Sequence, residues 1–431
     1  MKLQTANRFS CEGQEGSLGD LPALFAAAAH RAGAGASDRL AVISDDPRML
    51  VASAVGLHAW SADGAIVAAT AASPAVRSLL LERGYSLLEI GPSGEWARLQ
   101  RTSGGGAQGG RIALLTSGTT GTPKLLTHTW ESLATLRAAG TLPPHRWLLT
   151  YLPGTYAWFQ MLTLSMFGAE QALVASPHCS PEEIWDNGLA AGFDAVSSTP
   201  TFWRYLLALR RAADLVRVPL AQITLGGEPV RQDLLDRLRA LFPAARLTHI
   251  YAAAEVGAAI VVHDGREGFP RGWLADGGPG RCRIREAGGI LEVQSPYAAE
   301  GTGSKDLWHS TGDRVEIRGN RAVITGRAAD DVLNVGGRKA SAVAIEEVLR
   351  ANPLLSWCRV RGARAPLVGT LVAADVVLAE AGRSVTREEA ERELTAFCVA
   401  HGLPEWMVPR LWTFLDRVPV SPAFKVERLH G

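Results

Sequence analysis

Between residues 39 and 92 two kinds of hydrophobic pattern alternate. Short apolar runs at 39–44, 64–69 and 86–90 are separated by stretches with helical spacing at 48–58 and 74–83. That alternation predicts an α/β layer with a parallel sheet. A glycine-rich stretch at 103–110, SGGGAQGG, reads as a loop. An apolar strand at 111–116 then runs straight into TSGTTGTPK at 116–124. A second α/β stretch, 147–262, holds a helix at 200–211 and a strand at 223–225 that ends in Gly-Gly-Glu-Pro. From 280 to 325 the pattern changes to short strands with glycine turns, at 280–286, 289–295, 313–318 and 321–325. After Arg327 the last segment reads β-α-β-β-α-β and finishes in an extended tail.

Composition narrows the classes. The 431 residues are 47% hydrophobic and 20% charged, which is enough apolar material for a sizeable core. The formal net charge of +1 argues against a nucleic-acid-binding or membrane-surface protein, since both need a local excess of positive charge. No apolar run approaches the roughly 18 residues of a membrane span, and no secretory leader pattern is present. Cys11, Cys179, Cys282, Cys358 and Cys398 are odd in number and widely spaced, which fits reduced thiols. The expected location is the cytoplasm. Only five of the 44 basic residues are lysine: Lys2, Lys124, Lys305, Lys339 and Lys425.

The chemistry starts at 116–124. Gly118 and Gly121 let backbone N–H groups approach an anion. The stretch starts at Thr116; Ser117, Thr119, Thr120 and Thr122 add hydroxyl donors, and Lys124 adds a point charge. Placed just after a strand, this composition cradles phosphate. It is not a Walker loop, because no Gly-Lys-Ser/Thr follows at the required spacing.

The string resembles the signature loop of the adenylate-forming superfamily, which includes acyl- and aryl-CoA synthetases, nonribosomal adenylation domains and luciferases. Further segments match that family in order: Gly226–Pro229 (GGEP), Tyr251–Glu255 (YAAAE), Ser310–Asp313 (STGD), Gly326-Arg327, Gly336–Lys339 (GGRK) and the spacing from Pro419 to Lys425. The resemblance implies an N-terminal adenylation core at 1–327, made of layered α/β subdomains plus a small β-strand subdomain. Its N-terminal subdomain would be trimmed, because the loop comes as early as residue 116. A small mobile α+β C-terminal domain at 328–431 would follow and carry the catalytic lysine.

The roles it implies are as follows. The loop, with Lys124, would hold the phosphates that leave as pyrophosphate. Tyr251 would stack on adenine, with Gly226, Gly227 and Glu228 lining its pocket. Glu255 would hold Mg²⁺, a hard cation suited to one carboxylate plus phosphate oxygens. Asp313 would accept from both ribose hydroxyls, and Arg327 would reach ribose and phosphate. Lys425 would sit between the substrate carboxylate and the α-phosphate, where anion meets anion. Asp330 is the expected hinge, and Lys339 lies in the loop that follows it. His128 and His249 read as structural or supporting residues.

Some positions depart from the family pattern. Leu125 and Phe424 stand where glycine is usual, and Ala252 and Ala254 replace glycine and threonine before Glu255. For the acid, Tyr156, Trp158 and Phe159, with Ser198, Trp203 and Ala252, are the expected pocket residues. They suit a compact aromatic acid such as a substituted benzoate. The resemblance implies ATP, Mg²⁺ and CoA as cofactors, with the phosphopantetheine of an acyl or aryl carrier protein as the alternative acceptor. Two other readings are a stand-alone adenylating enzyme that passes the adenylate to an amine or hydroxyl, and a nucleotide-binding protein without catalysis.

Overall fold

The computed structural model describes residues 1–102, 109–117, 123–136, 143–177, 179–278, 280, 282–302, 305–328, 332–335, 338–365, 369–379, 382 and 385–419. Most of the 103–110 loop therefore lies outside the described residues. The chain forms two compact units. One holds Met1–Arg285 and Glu292–His309; the other holds Glu286–Leu291 and the described residues from 310 onward.

In chain order, the first unit contains β1 (Arg8–Cys11), β2 (Gln14–Ser17), α1 (Leu21–Arg31), β3 (Leu40–Ser44), α2 (Pro47–Trp60), β4 (Gly64–Ala68), α3 (Pro74–Glu82), β5 (Ser86–Ile90) and β6 (Ala97–Gln100). It continues with β7 (Arg111–Ser117), β8 (Pro123–Thr129), α4 (Trp130–Leu133), β9 (Arg146–Leu149), α5 (Tyr156–Phe167), β10 (Ala172–Ala175), α6 (Pro181–Ala191) and β11 (Ala195–Ser198). Then come α7 (Pro200–Leu209), α8 (Ala212–Leu215), β12 (Gln222–Gly226), α9 (Gln232–Leu241), β13 (Arg246–Ala253) and β14 (Gly257–Val262). The predicted strands and helices between 39 and 92 are present, with ends that move by a residue or two.

Two sheets result. The six-stranded sheet runs β6-β5-β3-β4-β7-β8, with β3, β4, β5 and β7 parallel and β6 and β8 antiparallel at its edges. The eight-stranded sheet runs β14-β13-β12-β11-β9-β10-β1-β2, parallel except for β14 and β2 at the edges. Strands β3 and β4 are buried along their whole length, as a strand covered on both faces requires. Helix α2 starts where the Asp46 carboxylate accepts from the N–H groups of Arg48 and Met49, with Pro47 in the first turn. It ends at Ser61 in a left-handed conformation. Helix α5 is capped by Thr155 and buries Trp158, Phe159, Met161, Leu162, Met166 and Phe167, so it is covered all round and lies in the core. One hydrophobic cluster runs from α1 and α2 through α5 to strands of both sheets.

The second unit contains a hairpin whose strands, His309–Arg318 and Arg321–Arg327, turn through Gly319 at φ +60°. A short hairpin, Val332–Val335 with Arg338–Ser341, comes before the first helix of the C-terminal segment. The β-α-β-β-α-β reading did not anticipate its second strand; at four residues, just after Gly336-Gly337 in sequence, it is too short for a hydrophobic period to show. Strands Leu355–Ala365 and Gly369–Leu378 pair antiparallel, and Leu411–Phe414 adds in parallel. Helices Ala342–Arg350 and Arg387–Ala400 share one core cluster with this sheet through Ile345, Leu349, Leu394 and Cys398.

That core encloses charge. Asp375 accepts from Arg359 and Arg361 on the neighbouring strand, and its side chain is 4% exposed. Burial alone would raise its pKa; the bonds from Arg361 and Arg359 outweigh it and hold the carboxyl below the usual carboxylate range. A carboxyl depressed in the fold adds stability above the ordinary Asp pKa of about 4, and that stability fades as pH falls toward the folded value. Unfolding of the second unit should therefore become easier as pH falls below about 4. Asp375→Asn should flatten that trend and cost about 3–5 kcal/mol at pH 7 by stranding two guanidinium groups. Denaturant titrations at four pH values check both. An unchanged pH slope in Asp375→Asn would remove this pair from the account.

Candidate active site

Three of the expected segments lie in the first unit at the carboxyl ends of parallel strands, where open α/β sheets place their ligands. Strand β12 ends at Gly226, and Gly227 has φ +84°, a conformation that favours glycine. A Cβ added at Gly226 would stand 3.4 Å from the Ile250 carbonyl oxygen. Beneath it lies Tyr151, whose hydroxyl meets Ser197 Oγ at 3.2 Å. Burial pushes that phenol pKa well up. Glu228 accepts from the Thr201 N–H at 3.0 Å, so it caps the first turn of α7 beside the Thr199 cap. Tyr251 is half-buried near the end of β13, where the ladder to β14 shifts register between Tyr251 and Ala252.

Glu255 sits on the turn from β13 to β14, and it is exposed. Its carbonyl accepts from the Ala299 N–H at 2.9 Å. The turn closes at Gly257, φ +83°, where an added Cβ would lie 3.0 Å from Tyr297 Cβ and 3.1 Å from Tyr156 Oη. Mg²⁺ carrying a triphosphate uses one or two protein carboxylates, with phosphate and water for the rest. Among the described residues no three His, Cys, Asp or Glu side chains converge on a metal position. A lone exposed Glu255 therefore fits a nucleotide-bound Mg²⁺ and does not fit an all-protein cage.

The anion loop springs from the β7–β8 hairpin, which pairs Thr116 with Lys124 at its mouth. Thr116 is half-buried and Lys124 is exposed. Gly118, Thr119, Thr120 and Gly121 lie outside the described residues. Ser117 ends β7 and pairs with Pro123.

His128, four residues beyond Lys124 on β8, is fully buried. Its Nε2 meets the Ala254 carbonyl oxygen at 2.8 Å, and Nδ1 meets Ser132 Oγ at 2.9 Å. Burial lowers its pKa despite the Ala254 bond and the nearby Glu255 charge, so the ring is neutral. A carbonyl can only accept, which puts the proton on Nε2 and leaves Nδ1 to accept from Ser132. The β7–β8 hairpin and the Glu255 turn are thus joined. The sequence gives one hint of this: with β8 alternating sides, His128 shares a face with Leu126 and points away from Thr127 and Thr129.

The expected pocket aromatics are committed to packing. Trp158 is 1% exposed and stacks edge-on against Phe159 at 4.9 Å. Trp203 is fully buried against Trp185 at 5.6 Å and Phe242 at 5.7 Å. Tyr156 is turned toward His128, with ring centroids 5.6 Å apart, and its hydroxyl meets Thr135 Oγ1 at 3.4 Å. Among the described residues, Ser198 Oγ and Trp203 Nε1 are buried with no hydrogen-bond partner. Ala252 is half-buried against the main core.

In the second unit, Asp313 and Arg327 face each other across the 309–327 hairpin, with Arg327 Nε 3.1 Å from Asp313 Oδ1. The Asp313 N–H donates to Thr311 Oγ1 at 3.1 Å, which fixes the Thr-Gly-Asp turn. A carboxylate held in this way can accept from two vicinal hydroxyls. Lys339 is exposed on its strand beside Arg338, whose guanidinium lies 5.6 Å from the Trp406 ring. Asp330 and Lys425 lie outside the described residues.

The profile of a family described as "AMP-binding enzyme" matches residues 111–280. 4-Coumarate–CoA ligase 1 of Glycine max is 23% identical over 54% of this chain and 87% of its own length. 4-Chlorobenzoate–CoA ligase of Pseudomonas sp. (strain CBS-3) is 26% identical over 54% of this chain, and the match spans only 47% of that enzyme. Matches to two Arabidopsis thaliana acyl-activating enzymes span under a quarter of their lengths. The crystal structure of the anthranilate CoA ligase AuaEII with anthranoyl-AMP shares the fold, with a TM-score of 0.72 at 16% identity, over 99% of this chain and 93% of that one.

Proposed function

We infer that this chain, which belongs to the adenylate-forming AMP-binding enzymes, joins a small carboxylic acid to a thiol at the expense of ATP, with AMP as product. The observation that carries this is the link from the phosphate-loop hairpin to the Glu255 turn, His128 Nε2 to the Ala254 carbonyl at 2.8 Å, beside the strand ends at Gly226 and Tyr251.

In the first half-reaction a carboxylate oxygen bonds to the α-phosphorus, and the bond to the bridging oxygen breaks. Pyrophosphate leaves with that electron pair. Both reactants are anions, so the residues must supply positive charge and hold the in-line geometry. Lys124 and the loop it follows serve the departing phosphates, and Lys425 serves the carboxylate and α-phosphate. Tyr251, Gly226 and Gly227 hold adenine, with Glu228 fixing the start of α7 beside them. Asp313 and Arg327 hold the ribose. Bound Mg²⁺, held through Glu255, would screen the charge on the phosphate oxygens. In the second half-reaction the thiol sulfur attacks the acyl carbon, AMP leaves, and the thiol proton passes to solvent. The C-terminal segment from 328, hinged at Asp330, exchanges Lys425 for the loop bearing Lys339 between the two steps.

The finer reading is an aromatic acid, a benzoate or close relative, with free CoA as acceptor in the cytoplasm. Its support is the aryl acids in the names of the coumarate and chlorobenzoate ligases, and the unpartnered hydroxyl of Ser198. ATP–pyrophosphate exchange over a panel of aryl and aliphatic acids, then AMP release with and without CoA, tests both levels. Exchange should be greatest with a substituted benzoate, and CoA should raise AMP release at least tenfold. Exchange with no acid would overturn the adenylation reading, and indifference to CoA would point to a carrier protein, amine or hydroxyl.

A further inference from the structure

We infer that His128 is a positioning residue for Glu255, setting the metal-binding carboxylate in register with strand β8. This rests on the reading of Glu255 as the residue that holds nucleotide-bound Mg²⁺.

The turn carrying Glu255 has few means of holding itself. Residues 252–254 are all alanine, so no side chain before Glu255 can hydrogen-bond. The β13–β14 ladder slips by one residue between Tyr251 and Ala252, so regular pairing does not fix the approach to the turn. The turn is pinned from outside. His128 donates to the carbonyl of Ala254, the residue before Glu255. The Ala299 N–H donates to the carbonyl of Glu255 itself, and the next residue, Glu300, donates its N–H to the Thr127 carbonyl.

Two of these ties end on consecutive residues of β8, Thr127 and His128. That strand leaves the anion loop at Lys124. A shift of the strand therefore moves the turn that carries Glu255 with it. The imidazole is well placed for this work. It is fully buried, both nitrogens are used, and Ser132, itself tied into the Thr129 helix cap, holds the ring from behind. Supporting groups that orient a metal ligand typically contribute ten- to hundredfold in metal affinity.

The test uses the full chain with Mn²⁺ as the probe. Mn²⁺–ATP affinity is measured by electron paramagnetic resonance, and amide hydrogen exchange is followed over 253–258. His128→Ala should weaken Mn²⁺–ATP at least tenfold and speed exchange in that turn. His128→Gln, whose amide nitrogen can stand near the position of Nε2, should bind within threefold of wild type. His128→Asn, too short to reach, should behave like alanine. Leu80→Ala, a fully buried residue of α3, should lower thermal stability and leave Mn²⁺–ATP affinity unchanged. In a Glu255→Gln background the His128→Ala effect on Mn²⁺ should vanish. Equal Mn²⁺–ATP binding by the Asn and Gln variants, or the same loss in Leu80→Ala, overturns the inference; the first comparison still decides if His128→Ala does not fold. A wild-type chain that binds no Mn²⁺–ATP at all would instead overturn the function on which it rests.

Discussion

Lys425→Ala is expected to lower ATP–pyrophosphate exchange by about a thousandfold, while thioester formation from supplied acyl-adenylate stays within about threefold of wild type. The asymmetry follows from charge. Adenylation brings a carboxylate against an α-phosphate, and two like charges about 4 Å apart repel by about 4 kcal/mol at an intermediate dielectric. A cation between them offsets that repulsion, most of all while charge is moving onto pyrophosphate. The second half-reaction starts from a neutral acyl carbon and needs no cation there. Lys425→Arg should recover only part of the rate, because a planar fork does not replace a compact ammonium. Equal loss of both half-reactions would show that one arrangement of the C-terminal segment serves both steps.

The contrast between sheets and sites follows from what a sequence records directly. Buried strands such as Leu40–Ser44 and Gly64–Ala68 announce themselves as unbroken apolar runs, and helix starts such as Asp46-Pro47 carry their own caps. The loop strings mark where phosphate chemistry would sit, because glycine and hydroxyl spacing is a local property. What depends on distant packing is harder to read. The aromatics of α5, expected to line a pocket, pack Trp158 on Phe159 and Phe159 on Trp130, contacts that no local pattern records. His128 and Ala254 are 126 positions apart, and their bond exists only because β8 and the β13–β14 turn come together. The second compact unit takes in Asp313 and Arg327, in a stretch where short strands and glycine turns run on without any shift in composition. Periodicity cannot mark a boundary there.

Glu255→Gln should reduce exchange by about a hundredfold or more and raise the Mg²⁺ concentration for half-maximal rate by at least tenfold. The substitution keeps the shape and removes the charge. An amide oxygen is a much weaker ligand for a hard divalent cation than a carboxylate. The backbone bond from Ala299 to the Glu255 carbonyl does not involve the side chain, so the turn should stay in place and thermal stability should change by less than about 0.5 kcal/mol, as for other exposed positions. Binding of AMP without Mg²⁺ should match wild type, because the contacts proposed for adenine and ribose do not use this carboxylate. Glu255→Asp draws the carboxylate back by one methylene while the pinned backbone cannot follow, so it should fall between wild type and Gln. The decisive measurement is the Mg²⁺ titration of exchange. If Gln and wild type saturate at the same Mg²⁺ concentration, the lost rate has another origin. The turn that His128 and Ala299 hold would then be serving the nucleotide through its backbone and not through its carboxylate.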